Sequence, residues 1–350
     1  MTAPHQTQMA REIAEQPEAV ARTLDAQMPL RSQLAALGRD VRTVLFYARG
    51  SSDNAAIYGR YLLEVHARRQ AALGAPSVAT HYRSQLDLHD VLAVAVSQSG
   101  ETEEIVETAR WAKERGARVV GVTNVERSAL ARVADLALVT QAGPERAVPA
   151  TKTYTTQLAS MAVLGSALAE PDEAFDGALA RVPEELAAML DHSTEAESMA
   201  DRLAKVQRLV VSGRGLVLGS AQELALKLEE TCYMPTLGLS FADLQHGPIA
   251  VLDPSTPAVL VSAADGPMLP GMTDLARAVA ARGSTPLGVG GDAEFRSACA
   301  QSLAGPDLPE VLAPLGLIVP GQLLTEALAR RRGLDPDQPR TLSKVTQTSG

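Results

Sequence analysis

Apolar runs without a polar face alternate along this chain with stretches of helical spacing. Leu92, Ala93, Val94, Ala95 and Val96 form the clearest run, and such a run reads as a parallel strand covered on both sides. Residues 41–47 and 119–123 read the same way, and a short strand is expected near 77–80. Helical periodicity occupies residues 10–24 and 28–37 ahead of the first strand, 54–66 after it, and 102–113 after the strand at Leu92. Strands alternating with helices imply a parallel sheet with right-handed crossovers. Ligands of such sheets sit beyond the carboxyl ends of the strands.

The pattern then recurs. Residues 206–212 are again strand-like, and Gly213-Arg214-Gly215 stands where Ala48-Arg49-Gly50 stood. Residues 257–262 and Gly266 match the strand at Leu92 and Gly100, while Gly283 and Gly288 match Gly116 and Gly121. One nearly constant offset relates all three sets, so the second half reads as a duplicate of the first. The expected organisation is α/β: a helical segment over 1–40, a first domain over 41–190, a second over 191–330 and a tail over 331–350. Between the two repeats an uncharged helix over 156–168 should be buried, a subunit contact being one place for it. Pro336 and Pro339 keep the tail from being a regular helix throughout, and on its own it would pass for disorder.

At 350 residues, 46% hydrophobic and 21% charged, the chain is long enough for two globular domains. No apolar run approaches the roughly 20 residues of a membrane span, and residues 1–10 lack the layout of a signal peptide. A net charge of -9 without a basic cluster argues against nucleic acid as a partner. Cys232 and Cys299 make no disulfide framework, and together with six His they show no metal-ligand spacing, so neither metal nor cofactor is expected. These features read as soluble and cytoplasmic. Only five of the 32 basic residues are lysine: Lys113, Lys152, Lys205, Lys227 and Lys344. Where charge alone suffices this sequence uses Arg, so a retained Lys points to a need for a compact amine that can lose its proton.

Three places carry candidate chemistry. Ser97-Gln98-Ser99-Gly100-Glu101-Thr102 follows the buried strand and opens a helix. Ser97, Gln98, Ser99 and Thr102 thus supply donors at a helix N-terminus, whose free N–H groups and dipole favour an anion such as phosphate. The plainer reading is a capped helix with Ser99 as N-cap. In the duplicate Ala263-Ala264-Asp265 replaces Ser97-Gln98-Ser99, and Asp265 would repel an anion, so one phosphate site is expected, in the first half. The helix over 220–232 has an apolar stripe at Ala221, Leu224, Ala225, Leu228 and Cys232. Off that stripe stand Glu223, Lys227 and Glu230, either a surface ladder of ion pairs or a carboxylate base, Glu230, held by an ammonium, Lys227. His246 lies in a loop ahead of Gly247-Pro248, where an imidazole can move protons near neutral pH.

Taken in order, the cradle 97–102, Thr151-Lys152 with Thr155-Thr156-Gln157, Lys227 with Glu230, His246-Gly247-Pro248, and Asp337-Gln338-Pro339-Arg340 with Lys344 resemble the isomerase half of glucosamine-6-phosphate synthase. The likeness runs from Glu12-Ile13-Ala14-Glu15-Gln16-Pro17 to Lys344. It implies two tandem flavodoxin-like sugar isomerase (SIS) domains with parallel sheets, a tail closing the active site, and a homodimer with shared sites. It implies that Ser51, Ser52, Ser97, Gln98, Ser99 and Thr102 bind the phosphate of an amino sugar 6-phosphate and that Val148 lines the sugar site. In the same way it makes Glu230 the base that moves a proton between C2 and C1, with Lys227 beside it. His246, supplied across the dimer, would open the ring, and Lys344 would form or assist an imine.

Departures from the pattern shape the expected reaction. Neither a glutaminase domain nor its N-terminal cysteine nucleophile is expected, so ammonia would not come from glutamine. Ala150 stands where the family has a serine ahead of its Thr-Lys pair, and Gln245 and Ser343 replace the usual residues beside His246 and Lys344. The resemblance then implies a glucosamine-6-phosphate deaminase or isomerase, giving fructose 6-phosphate and ammonia. Space at Ala150 opens an alternative, 2,3-elimination on N-acetylglucosamine 6-phosphate. A non-catalytic sugar-phosphate sensor is the third reading.

Overall fold

Two parallel sheets of five strands carry the architecture. The computed structural model describes residues 6–344, so residues 1–5 of the helical segment and 345–350 of the tail lie outside the described residues. In the first sheet β1 is Thr43–Tyr47, β2 Gln70–Leu73, β3 Val91–Val96, β4 Arg118–Thr123 and β5 Leu136–Val139, in the order β2-β1-β3-β4-β5. In the second β6 is Leu209–Gly213, β7 Thr236–Ser240, β8 Ala258–Ser262, β9 Pro286–Gly290 and β10 Gln301–Leu303, in the order β7-β6-β8-β9-β10. Neighbouring strands pair in parallel throughout. Both sheets therefore have one order, the flavodoxin-like one, and the expected tandem α/β fold is the fold observed.

The apolar run that announced β3 is buried along its length, from Leu92 to Val96. Its Ala93 and Ala95 lie under Ile105 and Ala109 of the following helix, Glu103–Glu114. The same layer in the second sheet sets Val259 and Val261 of β8 against Leu224 and Leu228 of the helix Leu218–Cys232. Each buried Val or Leu side chain stabilises such a layer by about 1.5–3 kcal/mol. Among the described residues no helix is long and apolar enough to cross a membrane.

The duplication is written in backbone conformation as well as in sequence. Gly50 and its counterpart Gly215 have φ of 57° and 66°, and Gly100 and Gly266 have 64° and 87°. Glycine alone enters that region without a Cβ penalty. At Gly50 the left-handed turn lets the helix begin at once, so it runs Ser51–Val65 and not from residue 54, and Ser51 and Ser52 lie in its first turn.

One expected element is misplaced. The strand near 77–80 is a short helix, Pro76–Thr80, and the strand lies earlier, at Gln70–Leu73. Pro76 occupies the first helical turn, where its fixed φ and missing N–H fit. The true β2 is an edge strand without a β-branched residue, so periodicity gave it no signal. The helix expected over 156–168 begins four residues earlier, at Lys152, and runs to Leu168. Its burial is met within the chain, against the helices Arg31–Leu37 and Ser51–Val65.

The chain falls into two compact units. One holds the first sheet, with Glu18–Pro144, Lys152–Ala180 and, of the tail, Ser343 and Lys344. The other holds the second sheet, with Arg181–Leu342, the connector Glu145–Thr151 and residues 6–17. Within this second unit the tail is tied down by polar contacts. Asp337 accepts from the backbone N–H of Gln8 and Met9 at 2.8 and 2.7 Å, at the N-terminus of the helix Gln8–Ala14. Its carbonyl accepts from the N–H of Val148 at 2.9 Å. Arg340 lies 4.3 Å over the ring of Tyr233, whose hydroxyl accepts from the Arg340 N–H at 2.6 Å. Replacing Asp337 by Ala should cost about 1–2 kcal/mol in denaturant unfolding and speed trypsin cleavage after Arg340. Unchanged stability and cleavage would contradict this anchoring.

Candidate functional site

The hydroxyl loops belong to the first-sheet unit. β1 and β3 are neighbours, with Tyr47 opposite Ala95, so the loops that follow them emerge at one end of the sheet. One loop turns at Gly50 into Ser51 and Ser52, and the other runs from Ser97 to Thr102 and opens the helix Glu103–Glu114. Thr102 occupies the N-cap position, but its side chain makes no capping hydrogen bond, and the expected N-cap Ser99 does not hold that position. The side chain of Ser99 instead accepts from the N–H of Glu101 at 3.2 Å.

The direction of these hydrogen bonds gives the cradle its polarity. Ser52 Oγ accepts from Gln157 Nε2 at 3.0 Å, and Ser97 Oγ accepts from the N–H of Gly100 at 3.2 Å. Ser97 Oγ and Thr102 Oγ1 are 3.2 Å apart, and whichever donates, one hydroxyl hydrogen of the pair is left over. Ser52, the Ser97–Thr102 pair and Ser99 thus each offer a hydrogen to an acceptor. Added to the N–H groups of two helix N-termini, that is an arrangement for an oxyanion. Gly100 is required at the turn. A Cβ there would lie 2.3 Å from Ser128 Oγ and 2.6 Å from Thr123 Oγ1. Ser51, Gln98 and Ser99 are half-buried, and Ser52 and Ser97 are buried.

The duplicate has lost this chemistry. Leu216 and Val217 stand where Ser51 and Ser52 do, and a Cβ on Gly266 would meet the Glu310 carboxylate at 2.2 Å, not hydroxyls. Burial, and then Asp265, push the Glu310 carboxyl above its ordinary range. Two acids where the first copy has serines do not suit an anion.

The acid–amine cluster belongs to the second unit. The helix Leu218–Cys232 carries Glu223, Lys227 and Glu230, which are not a surface ladder: Lys227 is 1% and Glu223 0% exposed. The Lys227 ammonium lies 3.6 Å from Glu223 and bonds directly to Glu230, whose side chain keeps 26% of its surface exposed. Burial alone would pull the Lys227 ammonium down, but Glu223, then Glu230, outweigh it and hold it above the usual lysine value. Glu230 is therefore a carboxylate pinned from behind by a charged group and open in front. The helix ends with Tyr233 in a left-handed conformation, φ 50°.

His246 follows a short helix, Phe241–Gln245, capped by Ser240, and not an extended loop. It is exposed and, among the described residues, makes no hydrogen bond or ion pair with Lys227 or Glu230. Val148 and Ala150 are half-buried in the connector, which Glu12 holds by accepting from the N–H of Arg146 at 2.5 Å and of Ala147 at 3.2 Å. Glu145 in turn accepts from the N–H and hydroxyl of Thr151 at 3.0 and 3.3 Å. Lys344 is half-buried and groups with the first unit. The structure thus sets Ser51, Ser52, Ser97, Gln98, Ser99 and Thr102 together in one unit, and Val148, Ala150, Lys227, Glu230 and His246 in the other. Gln157 and Glu12, which orient Ser52 and the connector, stand inside the stretches that carry the resemblance. Their tasks are visible only in three dimensions. Among the described residues no three His, Cys, Asp or Glu side chains group so as to hold a metal ion.

Lys227→Met should destabilise the fold by about 3–5 kcal/mol, because it removes the buried ammonium that Glu223 and Glu230 both face. A lysine raised above 10.5 contributes its full stabilisation below that pH and loses it only as pH climbs through the higher folded value. Denaturant unfolding should therefore show a gap between parent and variant that does not shrink from about pH 7 to 9. A gap that closes within that window would contradict the buried ion cluster.

Residues 39–167 and 202–293 match the SIS domain family. The glutamine–fructose-6-phosphate aminotransferase (isomerizing) of Thermococcus kodakarensis is 34% identical over 96% of this chain and 57% of its own length. The chain thus spans little more than half of that relative. The solved C-terminal domain of glucosamine-fructose-6-phosphate aminotransferase from Francisella tularensis superposes with a TM-score of 0.87 at 28% identity, covering 97% of this chain and all of that one. Glucosamine-6-phosphate deaminase from Thermotoga maritima follows with a TM-score of 0.77 at 25% identity, covering 97% of this chain and all of that one. With both sheets in the same order and both copies matched, the chain belongs to the SIS domain family and corresponds to the isomerase half of the glutamine–fructose-6-phosphate aminotransferases.

Proposed function

We propose that this protein acts on an aminohexose 6-phosphate by proton abstraction at C2, as a glucosamine-6-phosphate deaminase or isomerase. What carries the reading is the half-open Glu230 carboxylate held by the buried Lys227 ammonium. A base must be reachable and fixed in direction, and this pairing supplies both. In this reading the hydroxyl cradle binds the phosphate, so that binding energy at one end of the sugar positions C2. His246 moves the proton that opens the ring, supplied by the partner subunit in a homodimer. Glu230 takes the proton from C2 and returns it to C1, which turns the C2 amine into an imine. Water then adds to that carbon and ammonia leaves, giving fructose 6-phosphate. Lys344, on the tail, is assigned to the open-chain carbonyl, where it forms or assists an imine. The Thermotoga maritima relative named as a deaminase supports this direction, and the aminotransferase relatives support the sugar phosphate class.

The product decides the reaction. With glucosamine 6-phosphate, mass and NMR analysis should find fructose 6-phosphate and one ammonia per turnover. No ammonia from a folded protein, with loss of water from N-acetylglucosamine 6-phosphate, would replace deamination by 2,3-elimination. Binding of both sugars without any product would favour a sensor.

The cradle is tested separately. Gly100→Ala places a Cβ at a left-handed φ and against two hydroxyls, so affinity for inorganic phosphate in titration calorimetry should fall by about 10-fold or more. Parent-like affinity in that variant would remove the cradle from the phosphate site.

A further inference from the structure

Arg49 is the only cationic residue on the two hydroxyl loops, 48–52 and 97–102. Its Nε donates to Glu104 Oε2 at 3.0 Å and its Nη2 donates to Glu104 Oε1 at 2.8 Å. That is the bidentate fork of a strong charge-assisted pair. The Glu104 side chain is only 8% exposed and sits in the first turn of the helix that the second loop opens. Arg49 therefore reaches from one loop to the root of the other, across 55 residues of sequence. Asp53, in the first turn of the other helix, also lies in its field: burial pushes that carboxyl up and Arg49 pulls it back.

A phosphate entering this cradle meets two helix N-termini whose first turns carry Asp53, Glu103 and Glu104. Without the Arg49 guanidinium, the charge of the buried Glu104 carboxylate would oppose an incoming anion. The duplicate shows what happens where no anion site is kept. Four residues after Gly100 stands Glu104, but four residues after Gly266 stands Pro270, and Arg214, the counterpart of Arg49, lies 5.0 Å over the Phe241 ring. The hydroxyls and the acid partner are lost together.

We propose that Arg49 and Glu104 act as one unit that spaces the two hydroxyl loops and cancels the Glu104 charge, making the cradle receptive to a phosphate dianion. Arg49 is then a positioning residue: it acts through the loops and through Glu104. This rests on the phosphate reading of the cradle, so the experiment must separate the two. Inorganic phosphate and fructose 6-phosphate are titrated by calorimetry into the full chain at fixed ionic strength. The proteins are the parent, Arg49→Met, Arg49→Lys, Glu104→Gln, the Arg49→Met/Glu104→Gln double variant and Ser97→Ala, with thermal unfolding recorded for each.

Arg49→Met should raise Kd for both probes at least about 10-fold. The double variant should bind better than Arg49→Met, because it no longer holds a buried carboxylate stripped of its guanidinium. Arg49→Lys should keep the fold and yet miss parent affinity, since an ammonium cannot form the fork. If Ser97→Ala loses phosphate while Arg49→Met binds like the parent, the cradle stands and the role of the pair is overturned. Lower thermal stability with unchanged Kd would reduce the pair to a structural brace, and a double variant weaker than either single would mean the two residues act independently. Either result overturns the proposal. A parent that binds no phosphate overturns the cradle reading and this proposal with it.

Discussion

A lysine ammonium with almost no exposed surface stays charged only if carboxylates face it. Among the described residues two pair with Lys227, Glu223 behind it in the core and Glu230 toward solvent, and Glu145 adds to their field. Much of the second unit follows from that constraint. The ion cluster fixes which face of the helix Leu218–Cys232 is buried, and so which carboxylate is left half-open. The same helix ends in the left-handed Tyr233, on which Arg340 of the tail is seated. Asp337, three residues earlier, caps the helix Gln8–Ala14 and bonds to Val148 of the connector. Tail, connector and first helix are thus registered against the element that carries Glu230.

Duplication supplied two frames of one design, and they have been put to different use. Both keep the strand order and the left-handed glycines that turn the chain at the strand ends. The first copy fills those turns with hydroxyls, of which Ser52, Ser97 and Ser99 already accept hydrogen bonds. The second fills the same turns with Leu216, Val217 and Asp265, and brings Glu310 against Gly266. Its charged cluster, Glu223, Lys227 and Glu230, stands instead on the helix Leu218–Cys232. The backbone pattern is kept in both halves, whereas the hydroxyls stand only in the first and the acid–amine cluster only in the second.

The fold was legible where burial was total. β3 is a continuous apolar run because helices cover both of its faces, and the repeat showed because a positive φ restricts the choice to glycine. β2 was not legible, since an edge strand of Gln70, Ala71, Ala72 and Leu73 has neither alternation nor β-branching. At the candidate site, hydroxyl loops and ordered motifs could be read directly. The burial of Glu223 and Lys227 could not, because three charges on one helix have the same spacing in water as in a core. Nor could Arg49 with Glu104 or Glu12 with Arg146, whose partners are far apart in sequence and meet only through the fold.

The central assignment is Glu230 as the base at C2. Proton NMR of glucosamine 6-phosphate in deuterated water, with the parent and with Glu230→Gln, follows that proton without depending on the fate of the amine. The parent should exchange or transfer the C2 proton, while the variant should bind the sugar and leave that proton in place. Exchange at the parent rate in a folded Glu230→Gln protein would show that another group is the base, and the account of this site would fail.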